Sequence, residues 1–266
     1  MPKNKNLTRN FDSLVVDAYP ADEPGAAVLV AQKGEIIYTR GQGVANLEWQ
    51  IPIEPDMVFR LASLTKQFTA VAILILLEQG KLNLDEIITT YLPDYPLNDQ
   101  PITIRHLLTH TSGIMSYTDM PSWPPLWRKD FTVAELIDFF KDEPMQFEPG
   151  EKSVYNNSGY ILLGAIIEAI SGKTYAEFIK THTFEPVGMK TAVYDMPQPI
   201  IPRRVAGYSQ SPNGYVNAEY VGMTQPYAAG SLAATVYDLA AWDNALYSEK
   251  LLKQETLALA YESVTL

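Results

Sequence analysis

Ser63-Leu64-Thr65-Lys66-Gln67-Phe68-Thr69-Ala70-Val71-Ala72-Ile73-Leu74-Ile75-Leu76-Leu77-Glu78-Gln79-Gly80 sets a serine and a lysine three residues apart at the head of an apolar stretch that closes on glycine. The pattern predicts a long helix from Ser63 to Gly80. On a helix, residues three apart share a face, so the Lys66 amine sits beside the Ser63 hydroxyl, one turn away. A lysine near a helix N-terminus meets the positive end of the helix dipole, and burial disfavours its ammonium form further. A neutral amine in contact with a serine takes its proton, which is the Ser-Lys variant of nucleophilic activation. Such a spacing also arises by chance in a chain of this length, and a serine before a helix is ordinarily an N-cap.

A second stretch changes the balance. Phe147-Glu148-Pro149-Gly150-Glu151-Lys152-Ser153-Val154-Tyr155-Asn156-Asn157 is a Pro-Gly turn running into a Tyr-x-Asn directly before a helix that begins near Ser158. A tyrosine near a lysine shares a proton with it, and an asparagine two residues on can hydrogen-bond the lysine or a substrate amide. Tyr215-Val216-Asn217 repeats the spacing, but without the Pro-Gly turn or the helix start.

Outward from these two stretches, Leu7, Phe11, Leu14, Val15 and Ala18 predict a short amphipathic helix that Pro20 and Pro24-Gly25 stop. Ala26 to Gln32 and Glu35 to Thr39 are rich in β-branched residues, and Lys33-Gly34 between them predicts a tight hairpin. Helices are expected over Thr103–His110, Thr132–Lys141 and Ser158–Ser171, from Thr235 through Trp242 to Leu246, and over Lys253–Tyr261. Thr132 with Glu135 and Thr235 with Asp238 read as capping boxes, and Gly172 as a left-handed C-cap. Residues 113–130 and 193–230 lack periodicity and read as long irregular loops lining a cleft. The order implies an α+β chain: a discontinuous sheet domain, 1–67 and 200–266, around a mainly helical domain, 68–199. A hairpin alone is marginal, so the sheet reads as incomplete.

Composition removes several function classes. Twenty Lys plus Arg against 31 Asp plus Glu give a net charge of −11, which repels nucleic acid. The longest apolar run, Ala70–Leu77, is far shorter than the roughly 20 residues of a membrane span. There is no cysteine, so disulfides and thiol chemistry are excluded. Met1-Pro2-Lys3-Asn4-Lys5 leads into no apolar run, so the default expectation is cytoplasmic, or secreted or periplasmic if a leader has been removed. His106 and His110 have helical i, i+4 spacing, but Leu107-Leu108-Thr109 between them lacks the glutamate of a zinc hydrolase, so they read as a plain helix-face pair. Gly41-Gln42-Gly43 reads as a turn, no Gly-x-Ser-x-Gly elbow is present, and no metal or organic cofactor is implied.

Ser63-Leu64-Thr65-Lys66 after Phe59-Arg60, Ile104-Arg105-His106-Leu107-Leu108-Thr109-His110-Thr111-Ser112-Gly113, and Pro149-Gly150 with Tyr155-Asn156-Asn157 together resemble the penicillin-binding-protein-like serine hydrolases. The tyrosine motif is similar to that of class C β-lactamases, D-Ala-D-Ala carboxypeptidases, D-aminopeptidases and β-lactamase-like esterases. The resemblance runs over roughly residues 25–246 and includes Ala228-Ala229-Gly230-Ser231-Leu232. It implies a β-lactamase/transpeptidase-like fold, an antiparallel sheet flanked by helices plus a helical insertion, with the site between.

The resemblance further implies Ser63 as acylated nucleophile, Lys66 as its proton acceptor, Tyr155 as a second proton-transfer group acting mainly in deacylation, and Asn157 as the group orienting Lys66. The Ser63 N–H would be one oxyanion donor. A third family motif, Lys-Thr-Gly or His-x-Gly, is not found before Leu266, so the chain reads as shortened, with the C-terminal strands missing. The expected activity is acyl-enzyme hydrolysis of an amide, β-lactam or small ester; the alternative is an inactive or sensor-type binding module. Tyr117, Met120, Trp123 and Trp127 are expected to line the substrate cleft, Tyr117 and Trp123 foremost, with no charged anchor. The expected partner is a small molecule or peptide, and a second copy or another chain could complete the sheet edge.

Overall fold

The computed structural model describes residues 5–97, 99–264 and 266; the side chains of Lys5, Asn6 and Leu7 also lie outside the description. Helix α1 (Lys5–Ala18) docks on the hairpin of β1 (Ala26–Gln32) and β2 (Glu35–Gln42). Its Val15 is buried, and Phe11 meets the Tyr38 ring at 5.3 Å, while Leu14 of the expected stripe is exposed. Lys33 and Gly34 both have positive φ, 54° and 78°, as a two-residue turn matched to strand twist requires. Strand β2 runs three residues beyond the expected Thr39, taking in Gly41 and Gln42. Gly41 is a strand residue whose bareness admits another chain: a Cβ there would stand 2.0 Å from the Ile53 carbonyl oxygen.

Short strands follow: β3 (Val44–Asn46) pairs with β4 (Ile51–Pro52), and β5 (Phe59–Arg60) leads directly into the serine. Helix α2 (Thr65–Glu78) is apolar on all sides and correspondingly buried along most of its length. It ends as Gly80 invites: Gly80 (φ 67°) donates to the Leu77 carbonyl and Lys81 to that of Leu76, which is a Schellman cap. Helices α3 (Ile104–Leu108), α4 (Val133–Asp138) and α5 (Asn157–Ser171) complete the middle of the chain. Thr132 and Glu135 form the expected capping box, and Gly172 (φ 67°) the expected left-handed cap. Then α6 (Tyr175–Ile179) passes through a π-turn, Lys180–Phe184, into α7 (Glu185–Val187).

The segment read as a loop over 193–230 is more regular than expected. It holds β6 (Val193–Tyr194), a hairpin of β7 (Tyr208–Ser211) and β8 (Gly214–Asn217), and the short helix α8 (Tyr227–Gly230). After β9 (Leu232–Ala234) come α9 (Val236–Leu246), with its Thr235–Asp238 capping box, and α10 (Gln254–Ala258). Among the described residues the strands form four small antiparallel sheets instead of one; the sheet that matters for the site has the order β5-β9-β6. Arg60 faces Ala233 in register, and Val193 pairs with the same residue from the other side.

The main hydrophobic core runs from Leu61 to Leu257 and is built mainly on α2 and α5, with a small second cluster at Ala45, Ile53 and Met57. Helix α8 packs closely on α5 because Gly164 leaves room: a Cβ there would lie 2.3 Å from the Tyr227 ring. Thr69 of α2 donates to the Ala228 carbonyl at 2.7 Å, and the Leu232 N–H reaches the Thr65 hydroxyl at 3.1 Å. These buried bonds lock the head of α2 to the turn between α8 and β9, and the site forms at that junction. No helix among the described residues is long and apolar enough to cross a membrane.

Candidate active site

Ser63 does not cap the helix. It sits in a 3-10 turn, Ala62–Leu64, between β5 and α2, and the α2 N-cap, Leu64, offers no side-chain hydrogen bond. Ala62 immediately before it holds φ at 46°, a strained setting for a residue with a side chain. The turn frees the Ser63 hydroxyl from backbone duties. Among the described residues, no acceptor takes the Ser63 backbone N–H.

Lys66 lies one turn on, only 6% exposed. Its Nζ donates to Asn157 Oδ1 at 2.8 Å, to the Ala229 carbonyl at 3.0 Å and to Ser63 Oγ at 3.3 Å. Two of these acceptors are carbonyl oxygens, which accept in either charge state. The third direction, toward Ser63, therefore carries a proton in the ammonium and a lone pair in the amine. Burial pushes Lys66 down to about 8.

Tyr155 approaches from the other side, its hydroxyl donating to Ser63 Oγ at 2.7 Å. The residue is 51% exposed, as a group open to a cleft must be. Its ring lies 4.7 Å from Lys66 Nζ, and the cation–π contact adds to the coupling of the two. The loop carrying it is braced: Gly150 donates to the Thr111 carbonyl, Gln146 to that of Gly113 and Val154 to that of His110. Gly113 must be glycine in this brace, with φ 76° and space for a Cβ only 2.0 Å from the Phe147 carbonyl oxygen.

Asn156 and Asn157 divide the work between them. Asn156 caps α5, accepting from the Gly159 N–H at 2.8 Å and donating to the Ile114 carbonyl at 2.6 Å. Asn157 opens α5, points Oδ1 at Lys66, and donates through Nδ2 to Thr118 Oγ1 at 2.9 Å. The Lys66 ammonium, which can only donate, sets the amide oxygen toward itself and leaves Nδ2 for the Thr118 hydroxyl. The structure thus brings Ser63, Lys66, Tyr155 and Asn157 together, whereas Tyr215 of the second Tyr-x-Asn lies on β8 and donates to Glu23.

His110 is the site neighbour that sequence reasoning missed. α3 ends at Leu108, so His106 and His110 do not share a helix face; His110 stands beyond the helix with φ 60°. Its Nδ1 accepts the Asn156 N–H at 3.1 Å, and its ring lies 4.7 Å from that of Tyr155 and 5.2 Å from that of Tyr160. Burial, helped by the Lys66 charge, pushes it down to about 4, so it is neutral at pH 7. His106 meanwhile acts as a cap, its Nδ1 accepting the Thr103 N–H. The Thr-His-Thr-Ser-Gly run following a helical pattern was the available signal.

A cleft of about 360 Å³ opens beside Ser63. Tyr117, Trp123 and Trp127 line it, although Tyr117 and Trp123 are largely buried and show it only an edge. The Tyr117 hydroxyl is committed to the Gln225 carbonyl. Met120 packs against the core instead of lining the cleft. The expectation that no charged residue lines the cleft is corrected by Arg60, which does. Among the described residues, no group of acidic or histidine side chains is arranged to hold a metal ion.

Known proteins resemble this chain over nearly its whole length. The family described as Beta-lactamase matches residues 13–265. Penicillin-binding protein 4* of Bacillus subtilis (strain 168) is 34% identical over 282 residues, covering 99% of this chain and 60% of its own length. The chain therefore spans somewhat over half of that curated relative. A penicillin binding protein from Bacillus halodurans superposes with a TM-score of 0.82 at 29% identity, over 92% of this chain and 75% of that one. A D-amino acid amidase from Ochrobactrum anthropi SV3, solved with D-phenylalanine, gives 0.82 at 28% identity, over 97% and 74%. The fold is β-lactamase/transpeptidase-like.

Proposed function

The chain belongs to the Beta-lactamase family, and from that premise we propose that it is a serine hydrolase working through an acyl-enzyme on an amide, a β-lactam or a small ester. One observation carries the reading: Ser63 Oγ lies within hydrogen-bond reach of both Lys66 Nζ and Tyr155 OH. With Lys66 neutral, the Ser63 proton passes to Nζ as Oγ attacks the carbonyl carbon. The C–O bond forms and the carbonyl π pair moves to oxygen, where the unpartnered Ser63 N–H is available to it. Collapse expels the leaving group, which takes the Tyr155 proton and leaves a tyrosinate beside the Lys66 ammonium. The tyrosinate then takes a proton from the water that cleaves the acyl-enzyme, and the departing Ser63 oxygen takes its proton back from Lys66, so all three groups return to their starting state. Asn157 keeps Nζ aimed at Oγ throughout.

The decisive experiment is intact-protein mass spectrometry after incubation with a fluorescent penicillin and, separately, a p-nitrophenyl ester, with Ser63→Ala and Lys66→Ala as controls. A transient adduct that requires Ser63 and Lys66 is expected. Labelling retained in Ser63→Ala would overturn the proposal. An adduct that forms and never leaves would instead identify a sensor-type binding module.

A further inference from the structure

Among the described residues, the one cationic side chain that lines the cleft is held in an unusual way. Arg60, on β5, donates only its Nε, at 2.6 Å, to Oδ2 of Asp195. Asp195 is fully buried, and its second oxygen accepts Arg204 Nη1 at 2.5 Å. One carboxylate thus serves two guanidinium groups, and the cluster carries a net positive charge. The two Nη groups of Arg60 find no acceptor among the described residues, although the side chain is 45% exposed. Among the described residues no Asp or Glu lines the cleft, in a chain whose net charge is −11. A guanidinium anchored through Nε and left open along its outer edge has the geometry for bidentate recognition of a planar anion. Arg60 precedes Ser63 by three residues, so their backbones are at most about 11 Å apart, and Trp127, Val221 and Met223 give the same cleft apolar lining.

We infer that Arg60 forms a carboxylate-binding subsite in this cleft, so that the molecules it accepts carry an anionic group on an aromatic or apolar arm. The inference rests on the hydrolase reading for its catalytic meaning, but the subsite is a matter of binding and is tested as such. Asp195 orients the guanidinium and prevents its collapse onto the cleft floor, and Arg204 keeps Asp195 from neutralising it.

The test is titration with phenylacetate and with phenylacetamide, which share a ring and differ in charge, followed by the fluorescence of Trp123 and Trp127 at low ionic strength. Wild-type protein should bind the acid about 10- to 100-fold more tightly, the range for hydrogen bonds to a charged group. Arg60→Gln should bring the ratio near one. Arg60→Lys keeps a cation beside Asp195 and so preserves the fold if the glutamine variant does not; it should lose most of the preference, having no planar fork. Equal binding of the two probes by the wild type, a preference that survives in either variant, or binding of neither probe would overturn the inference. Acylation of wild-type Ser63 by a neutral p-nitrophenyl ester, measured alongside, separates the two proposals. Acylation without acid preference defeats the subsite alone, and acid preference without acylation defeats the hydrolase reading alone.

Discussion

Asn157→Asp tests the claim that Lys66 works as a neutral base. With Lys66 at about 8, roughly one molecule in ten carries the free amine at pH 7, and nearly all do above about pH 9. Acylation should therefore rise about tenfold from pH 7 to pH 9 and level off. The substitution places a carboxylate where an amide oxygen now lies 2.8 Å from Nζ. An opposite charge at that range raises a lysine by about 1 to 3 pH units, which moves the midpoint to about 9 to 11. Acylation at pH 7 should fall by about 10- to 1000-fold, equivalent to about 1.4 to 4 kcal/mol in the barrier, and should recover toward wild type as pH rises through the new midpoint. The fold should tolerate the change, because Asp at the first position of α5 suits the helix dipole and the Thr118 hydroxyl, which accepts from Asn157 Nδ2, can turn to donate to a carboxylate. The assay is the rate of Ser63 adduct formation between pH 6 and 10. A rate at pH 7 within twofold of wild type would refute the reasoning, as would a slowed variant whose midpoint stays near 8.

Tyr155→Phe removes the 2.7 Å bond to Ser63 Oγ but leaves the Lys66 contact; the adduct should form and persist, with deacylation slowed about 100- to 10,000-fold in a mass-spectrometric time course. His110, at about 4 in the fold and 6.5 when unfolded, binds fewer protons folded than unfolded between those values, so stability is full above pH 6.5 and falls as pH drops toward 4. The loss is bounded by about 3 kcal/mol and reduced by the ring's partial solvent access; urea denaturation at pH 7 and 4.5 should show it, and His110→Gln should flatten the difference. Gly164→Ala gains about 1 kcal/mol in helix propensity but drives a Cβ to 2.3 Å from the Tyr227 ring, so thermal denaturation should show a net loss of about 1 to 2 kcal/mol.

The elements easiest to read were those governed by local chemistry. The capping boxes at Thr132 and Thr235, the left-handed Gly172 and the Lys33-Gly34 turn are decided within a few residues of sequence, and each is present. The hairpin of β7 and β8 was missed because its strands are four residues long and polar, Tyr-Ser-Gln-Ser and Gly-Tyr-Val-Asn, so they show no buried alternation. The start of α2 was misjudged by two residues because Ser63 carries an N-cap's side chain while its backbone follows the 3-10 turn after Ala62. Spacing showed that Ser63 and Lys66 could meet. That Asn157 and the Ala229 carbonyl complete the lysine's coordination depends on contacts 91 and 163 residues apart, which no local pattern reports. Arg60 was hidden for the same reason: its role depends on Asp195, 135 residues away.

Those long contacts also explain why the site needs so large a core behind it. Lowering Lys66 from 10.5 to about 8 means that, at pH 7, the folded chain carries about 3 kcal/mol of unfavourable burial that the unfolded chain does not. The cost fades only as pH rises from about 8 through 10.5, where both states lose the proton. Ala62 adds the strain of its left-handed backbone. Neither cost could be met locally by a two-residue strand and a single turn. Both are met by the burial of α2 against α5 and α8, whose contacts fix the head of α2 whatever the charge on Lys66. The apolar run after Lys66 therefore belongs to the proposed catalytic device: it supplies the desolvation that lowers the pKa of the amine and the packing that tolerates it.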